Sequence, residues 1–273
     1  MSVNLIPKKI HYCWFGGNPL PDIAHKCMES WKKFCPDYEI IRWDESNCDL
    51  LINDFVREAV EHKKWAFVSD YFRLKVIEEH GGIYLDIDVE LLKPFDSLLE
   101  LEGFMGFELS KFNCINSGLG FGATPHNKII QKLRENYEKT SFVKHDGSFD
   151  MTPCPQRDTK VLINLGLKQN NCNQHIDNFQ FFSSEYFSPI GFLGEKKFTH
   201  NTYSIHHFNA SWLSDSERKL LTFRKNLKDK MGNKIGGVVY NVLLPFQIIK
   251  FYGFFYFLRK IFLKIKNKLK MVN

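Results

Sequence analysis

Residues 69–89 read Ser-Asp-Tyr-Phe-Arg-Leu-Lys-Val-Ile-Glu-Glu-His-Gly-Gly-Ile-Tyr-Leu-Asp-Ile-Asp-Val, and no other stretch constrains the fold as tightly. Leu74, Val76 and Ile77 give a helical apolar stripe, and Gly81-Gly82 stops it. Ile83, Leu85, Ile87 and Val89 then alternate as a strand does, which puts Tyr84, Asp86 and Asp88 together on the opposite face. Two carboxylates are thereby expected side by side at the end of a β-rich run, just before the loop at Lys93-Pro94. Adjacent like charges are costly unless a cation sits between them. A hard divalent ion, coordinated by oxygen and shared with a diphosphate, would resolve the conflict.

The flanking pattern is that of an α/β protein. Lys9 to Phe15 reads as a buried strand closed by Gly16-Gly17-Asn18-Pro19, Asp22 to Phe34 as a helix, and Tyr38 to Trp43 as a second strand. Helices follow over Asn53 to His62 and Ser69 to His80. Strand, helix, strand, helix, strand predicts a sheet with parallel strands, whose ligands collect at the strands' carboxyl ends. Trp14, Asp86 and Asp88 all fall there. Short strands are expected over Phe104 to Glu108 and Gly118 to Gly122, around the Asn113 to Ser117 loop. Pro125 opens a helix over Asn127 to Tyr137. Thr140 to Cys172 is polar and irregular until a helix at Asp158 to Asn164, and reads as an acceptor-facing insertion.

Composition removes several alternatives. The net charge of +6 suggests nucleic acid at first sight, but residues 236–273 hold seven Lys or Arg and no acid. The remaining body carries 30 basic against 31 acidic residues, so no basic groove for nucleic acid is indicated. Seven cysteines without a Cys-x-x-Cys pair fit neither a disulfide framework nor a zinc site, and read as free thiols in a reducing cytosol. Met1 to Ile10 shows no signal pattern. The charge shift divides the chain into residues 1–234 and 235–273. In the second part the longest uncharged run, Ile235 to Ile249, is 15 residues and contains Pro245, short of the roughly 20 needed to span a bilayer. Beyond it Phe251, Tyr252, Phe254, Phe255, Tyr256 and Phe257 precede Arg259, Lys260, Lys264, Lys266, Lys268 and Lys270. Aromatics beside cations describe an interfacial helix on an anionic membrane surface.

Three ordered blocks carry a resemblance that covers roughly residues 4–213. They are Ile6-Pro7-Lys8-Lys9-Ile10-His11-Tyr12-Cys13-Trp14-Phe15-Gly16-Gly17, the Ser69 to Asp88 stretch, and His206-His207-Phe208-Asn209-Ala210-Ser211-Trp212. Together they resemble the glycosyltransferase sugar-binding family with an Asp-x-Asp motif, similar to family 32. That family includes fungal Golgi mannosyltransferases, capsule and O-antigen transferases, and clostridial toxin glucosyltransferase domains. The resemblance implies an α/β fold of GT-A type, a Rossmann-like nucleotide-sugar domain with a mostly parallel mixed sheet, followed here by C-terminal basic aromatic helices. It further implies Mn²⁺ or Mg²⁺ at Asp88 and Asp86, with Asp88 as direct ligand and His207 completing the shell. His206 is an equal candidate for that ligand. By the same resemblance Trp14 stacks on the nucleobase, Ser69 and Arg73 meet the donor, Asp70 orients Arg73 or binds a sugar hydroxyl, and Tyr84 lines the nucleotide site. Asn116 lies beside the donor sugar, and Ser211 and Trp212 close over the diphosphate.

The expected activity is retaining transfer of a hexose or N-acetylhexosamine from a UDP-sugar to a lipid-linked oligosaccharide, in capsule or O-antigen synthesis. The expected place is the cytoplasmic face of the cell membrane. A metal-dependent nucleotidyltransferase or phosphohydrolase is the alternative enzyme, disfavoured because no second carboxylate cluster suggests a two-metal site. An inactive membrane-bound scaffold of the same fold is the other alternative, against which the intact Trp14, Arg73, Asp86 and Asp88 speak.

Overall fold

A computed structural model describes residues 4–191, 194–209 and 215–252, which fall into two compact units, Met1–Asn209 and Ala210–Asn273. In the first unit β1 (Lys9–Cys13), α1 (Asp22–Phe34) and β2 (Glu39–Trp43) form a strand-helix-strand crossover, with β1 and β2 parallel in the register Lys9 to Glu39. Next come α2 (Asp54–Glu61), α3 (Trp65–His80), β3 (Gly82–Tyr84), β4 (Val89–Leu91), β5 (Gly103–Gly106) and β6 (Phe121–Ala123). Helices α4 (Lys128–Glu138) and α5 (Cys154–Asn164) precede β7 (Gln174–Ile176), β8 (Phe179–Phe182) and β9 (Ser204–His206).

Seven strands make one sheet in the order β2-β1-β3-β6-β5-β8-β7, and β4 with β9 makes a separate two-stranded ribbon. The large sheet is mixed, as expected. β1–β2, β1–β3 and β5–β8 are parallel, whereas β3–β6, β5–β6 and β7–β8 are antiparallel. Strands β7 and β8 form a tight hairpin, whereas the parallel pair β5 and β8 is separated in sequence by β6, α4, α5 and β7.

Alternation along the strands feeds two cores. Ile10, Tyr12, Ile83 and Phe104 join α1 residues Ala24, Cys27 and Trp31 in one. Cys13, Tyr84, Met105 and Phe181 join residues of α2, α3, α4 and α5 in the other. Helix α3 is buried on most of its circumference, from Phe67 to Ile77, and carries Asp70 and Arg73 inward with its apolar side chains. It stops because Gly81 and Gly82 adopt φ of +62° and +103°. A Cβ on Gly81 would lie 2.6 Å from the Pro125 ring, and one on Gly82 2.9 Å from the Lys9 carbonyl oxygen. This close turn drops the chain straight from α3 into the centre of the sheet.

The second unit is a helical hairpin. α6 (Asp215–Met231) and α7 (Asn233–Tyr252) are joined at Gly232, whose φ is +77°, and the charge shift at residue 235 falls inside α7. Phe223 meets Tyr240 at 6.1 Å between ring centroids, and Arg224 lies over the same ring. No helix among the described residues is long and apolar enough to cross a membrane. The aromatic and basic run from residue 253 onward lies outside the described residues.

Candidate active site

The continuous strand expected over Ile83 to Val89 is interrupted. β3 ends at Tyr84, Leu85 still donates to the His11 carbonyl, and Asp86 to Val89 closes a turn through Val89 N–H to the Asp86 carbonyl at 3.0 Å. Ile83, Leu85, Ile87 and Val89 nevertheless stay in one core, so the turn presents both carboxylates away from it. An apolar-polar alternation is compatible with a tight turn when pairing ends at the sheet margin.

Each carboxylate has its own positive or donating partners. Asp86 accepts from Arg73 Nη2 at 3.1 Å and from the Tyr84 hydroxyl at 2.9 Å. Arg73 also pairs with Asp70 at 3.1 Å and lies over the Tyr84 ring, 5.1 Å from its centroid. Burial works against the Arg73 charge, and Asp86, Tyr84 and Asp70 more than offset it, so the guanidinium is held charged. Burial raises Asp86 above the usual carboxylate range despite Arg73. Asp88 behaves oppositely. Burial would raise it, but His206, 3.1 Å away, and the Asn209 N–H, at 2.7 Å, bring it down to about 2. The imidazole of His206 is raised in turn, its burial outweighed by Asp88.

Asp86, Asp88 and His206 offer ligand atoms that all lie within 4.8 Å of one another. His206 Nδ1 is buried without a hydrogen-bond partner. Two carboxylates and one imidazole are a donor set for a divalent cation of borderline hardness, and the residues present fit one.

His207, the first choice for the third ligand, points elsewhere: its Nε2 meets Glu90 at 2.8 Å, and Glu90 also takes Lys26 from α1. β9 pairs antiparallel with β4 in the register His206 to Val89, so neighbours alternate and only one of two successive histidines faces the carboxylates. His207 still contributes its backbone N–H, which donates to the Asp88 carbonyl at 3.0 Å. Between the histidines and Asn209, Phe208 takes φ of +51°, a conformation rarely adopted by a bulky side chain. The reversal there lets Asn209 reach back to Asp88.

The other expected residues fall as follows. Asn116 caps a single 3₁₀ turn, Ser117–Leu119, its Oδ1 accepting from Gly118 N–H at 2.7 Å and its Nδ2 donating to Glu108 at 2.8 Å. It is therefore an Asx turn and a neighbour of the carboxylate pair at once: a Cβ on Gly118 would meet Asp86 Oδ2 at 2.6 Å and Asn116 Oδ1 at 3.0 Å. Trp14 follows β1, half-buried, with Nε1 donating to the Asn18 carbonyl at 2.6 Å. Ser69 is half-buried one residue before Asp70 on α3. Ser211 and Trp212 lie outside the described residues.

Two acids near the site have no sequence motif. Glu108, just after β5, is raised by burial and accepts from Asn116. Asp158 on α5 is buried, accepts from the Ser117 hydroxyl at 2.8 Å, and is pushed up to about 7, chiefly by burial. Only the return of the chain through residues 107–118 brings both to Asn116 and Ser117, which spacing alone does not disclose.

Residues 21–105 match the family model described as a glycosyltransferase sugar-binding region containing the DXD motif. The chain is 28% identical over 179 residues to the subversion of eukaryotic traffic protein A of Legionella pneumophila, covering 54% of this chain and 27% of that protein. It is 29% identical over 144 residues to inositol phosphoceramide mannosyltransferase 3 of Schizosaccharomyces pombe, covering 51% and 39% respectively. An uncharacterized glycosyltransferase of Acanthamoeba polyphaga mimivirus is 24% identical over 219 residues, covering 76% of this chain and 84% of that one. The chain thus spans only about a quarter and two fifths of the lengths of the first two relatives. With Asp86 and Asp88 as the motif's acids, residues 21–105 are similar to the glycosyltransferase sugar-binding region that contains the Asp-x-Asp motif.

Proposed function

We propose that the protein is a metal-dependent hexosyltransferase that moves a hexose or N-acetylhexosamine from a UDP-sugar with retention of anomeric configuration. The observation that carries this reading is the convergence of Asp86, Asp88 and His206 beside a buried, doubly paired Arg73. A bound Mn²⁺ would supply counter-charge to the departing diphosphate. The chain's own residues do the rest. Asp88 stays ionised under His206 and Asn209. Arg73, fixed between Asp70 and Asp86, presents positive charge to the donor without reorganisation, as electrostatic preorganisation requires. Trp14 offers a ring face to the base, and Ser69 and Tyr84 line the donor side. Incubation with a panel of UDP- and GDP-sugars, measuring nucleoside diphosphate release with Mn²⁺, Mg²⁺ or EDTA, tests the reading. UDP release from one UDP-sugar that needs Mn²⁺ and is lost in Asp88→Asn is expected. Release that persists in EDTA rejects metal dependence, and no binding or release from any donor rejects the transferase assignment.

The acceptor in this reading is a saccharide on a lipid carrier, as in capsule or O-antigen synthesis, met at the cytoplasmic face of a membrane. Support comes from α7, which exposes Ile235, Val238, Val242 and Phe246 at spacings of three and four, one apolar row along a helix. The cationic and aromatic sequence that follows would add attraction to anionic headgroups, about 1 kcal/mol for each Lys or Arg near the surface. Sedimentation with anionic vesicles at low salt, reversed by high salt, is the expected result. A protein that stays in the supernatant at low salt removes the membrane part of the proposal.

A further inference from the structure

Glu108 is one of the two acids near the site that neither the motif nor the cation accounts for, and Asp158, the other, is taken up by Ser117. Its Oε2 accepts from Asn116 Nδ2 at 2.8 Å, and it forms no ion pair among the described residues. Its other oxygen makes no hydrogen bond among the described residues and is not among the atoms sealed from solvent. Its charged neighbours are His206, from the cation cluster, and Glu195. Through Asn116 it stands one residue beyond Asp86, since Asn116 Oδ1 and Asp86 Oδ2 both lie within 3.0 Å of the point a Gly118 Cβ would occupy. A group carried on a diphosphate at Asp86 and Asp88 would find this space beside Asp86. A carboxylate held in place by an amide, with one oxygen unused, is an acceptor for a hydroxyl and repels a carbonyl or phosphate oxygen.

We infer that Glu108, positioned by Asn116, accepts a hydrogen bond from a hydroxyl of the donor's sugar ring and makes the site selective for a sugar bearing that hydroxyl. The inference rests on the transferase reading above. It assigns a specificity residue, not a group that reacts.

Glu108→Gln is the apt variant, because the amide oxygen still accepts from Asn116 while the second acceptor becomes a donor. Calorimetry in Mn²⁺ compares UDP and GDP with UDP-glucose, UDP-galactose, UDP-N-acetylglucosamine and GDP-mannose, for wild type and variant. The expected result is unchanged affinity for the free diphosphate, an unchanged melting temperature, and a roughly tenfold to hundredfold loss confined to the preferred nucleotide sugar. With a deoxy analogue lacking the recognised hydroxyl, wild type and variant should bind alike. If wild type gains affinity from the sugar and Glu108→Gln keeps that gain, the role of Glu108 is overturned while the transferase reading stands. If free diphosphate binding falls equally, Glu108 supports the fold of the Asn116 turn and the inference is again wrong. Wild-type protein that binds none of the panel sinks the transferase reading and this inference together.

Discussion

Gly118→Ala isolates the functional importance of the Asp86 carboxylate without deleting it. Gly118 does not need a left-handed backbone, so the substitution introduces no strain in φ. Its added methyl group would sit 2.6 Å from Asp86 Oδ2, where ordinary contact begins at 3.4 Å. An opening of about 0.8 Å is therefore required in an interior packed to crystal-like density. Sideways escape is limited, because Asn116 Oδ1 lies at 3.0 Å and Arg73 Nη1 at 3.5 Å from the same point. Asp86 must yield, and it is held by Arg73 and Tyr84, so the shift spreads to the guanidinium. Misplacement of a catalytic group by about 1 Å costs on the order of a hundredfold in rate, while overpacking of this kind costs about 1–3 kcal/mol of stability. The expected outcome is a kcat/KM for donor cleavage down by roughly a hundredfold, a weaker Mn²⁺ dependence, and a folded protein with a modestly lower melting temperature. Gly237→Ala, where an added Cβ meets nothing within 4 Å, serves as the silent control. Manganese titrations of donor hydrolysis beside thermal melts give the answer. Wild-type rate and manganese response in a folded Gly118→Ala protein would refute the placement of Asp86 Oδ2 at the reacting end of the site.

Three further outcomes follow from named contacts. His206→Ala should weaken Mn²⁺ activation far more than His207→Ala, since His206 faces Asp88 and His207 faces Glu90; equal effects in metal titrations would reject the alternation argument. Trp14→Ala should weaken UDP binding by about 1–3 kcal/mol with little change in kcat, whereas unchanged UDP affinity with a lower melting temperature would make Trp14 a packing residue. His11 is fully buried, accepts from Trp43 Nε1 at 3.0 Å and donates to the Gly81 carbonyl at 3.0 Å, and burial lowers its pKa from 6.5 to about 4. Below pH 6.5 the unfolded chain takes up a proton that the folded one refuses, so the neutral imidazole's stabilisation is lost between pH 6.5 and 4, about 2 kcal/mol of it by pH 5. Asp158, raised to about 7, stabilises in the opposite direction over the same window. The measurement is therefore the stability gap between wild type and His11→Gln in denaturant titrations. That gap should narrow by about 2 kcal/mol from pH 7.5 to 5, and a constant gap would show that His11 is not held neutral.

Local signals were enough for the first half of the fold. The apolar spacing of Asp22 to Phe34 returns as α1 with those bounds, and Asn53 and Asn127, expected as first residues of helices, cap them with their side chains. Helix α3 begins at Trp65, four residues before the expected Ser69, because burial on several sides leaves no polar face to mark its start. The far half of the sheet was not legible. β7 and β8 are strands of three and four residues, and their place beside β5 rests on a pairing of Gly103 with Phe179 across 76 positions of sequence. Registers of that kind are fixed by packing, which spacing within one segment does not encode.

The site shows the same division in sharper form. Periodicity put Asp86 and Asp88 on one side, yet the repulsion argued from their adjacency is answered mainly by protein groups. Asp86 is compensated by Arg73, thirteen residues earlier and one helix away, and Asp88 by His206 from a strand that joins the ribbon late in the chain. Removing either carboxylate thus leaves a buried cation short of a partner instead of relieving a strained pair. The two acids are also driven apart in character, Asp86 raised by burial and Asp88 lowered by His206 and Asn209. A cation entering the cluster meets one carboxylate that is already ionised and another that is shared with an arginine. His206, the third candidate ligand, lies on the segment whose Asn209 N–H caps Asp88, so the candidate cation cluster and the turn at residues 206–209 are held by the same contacts.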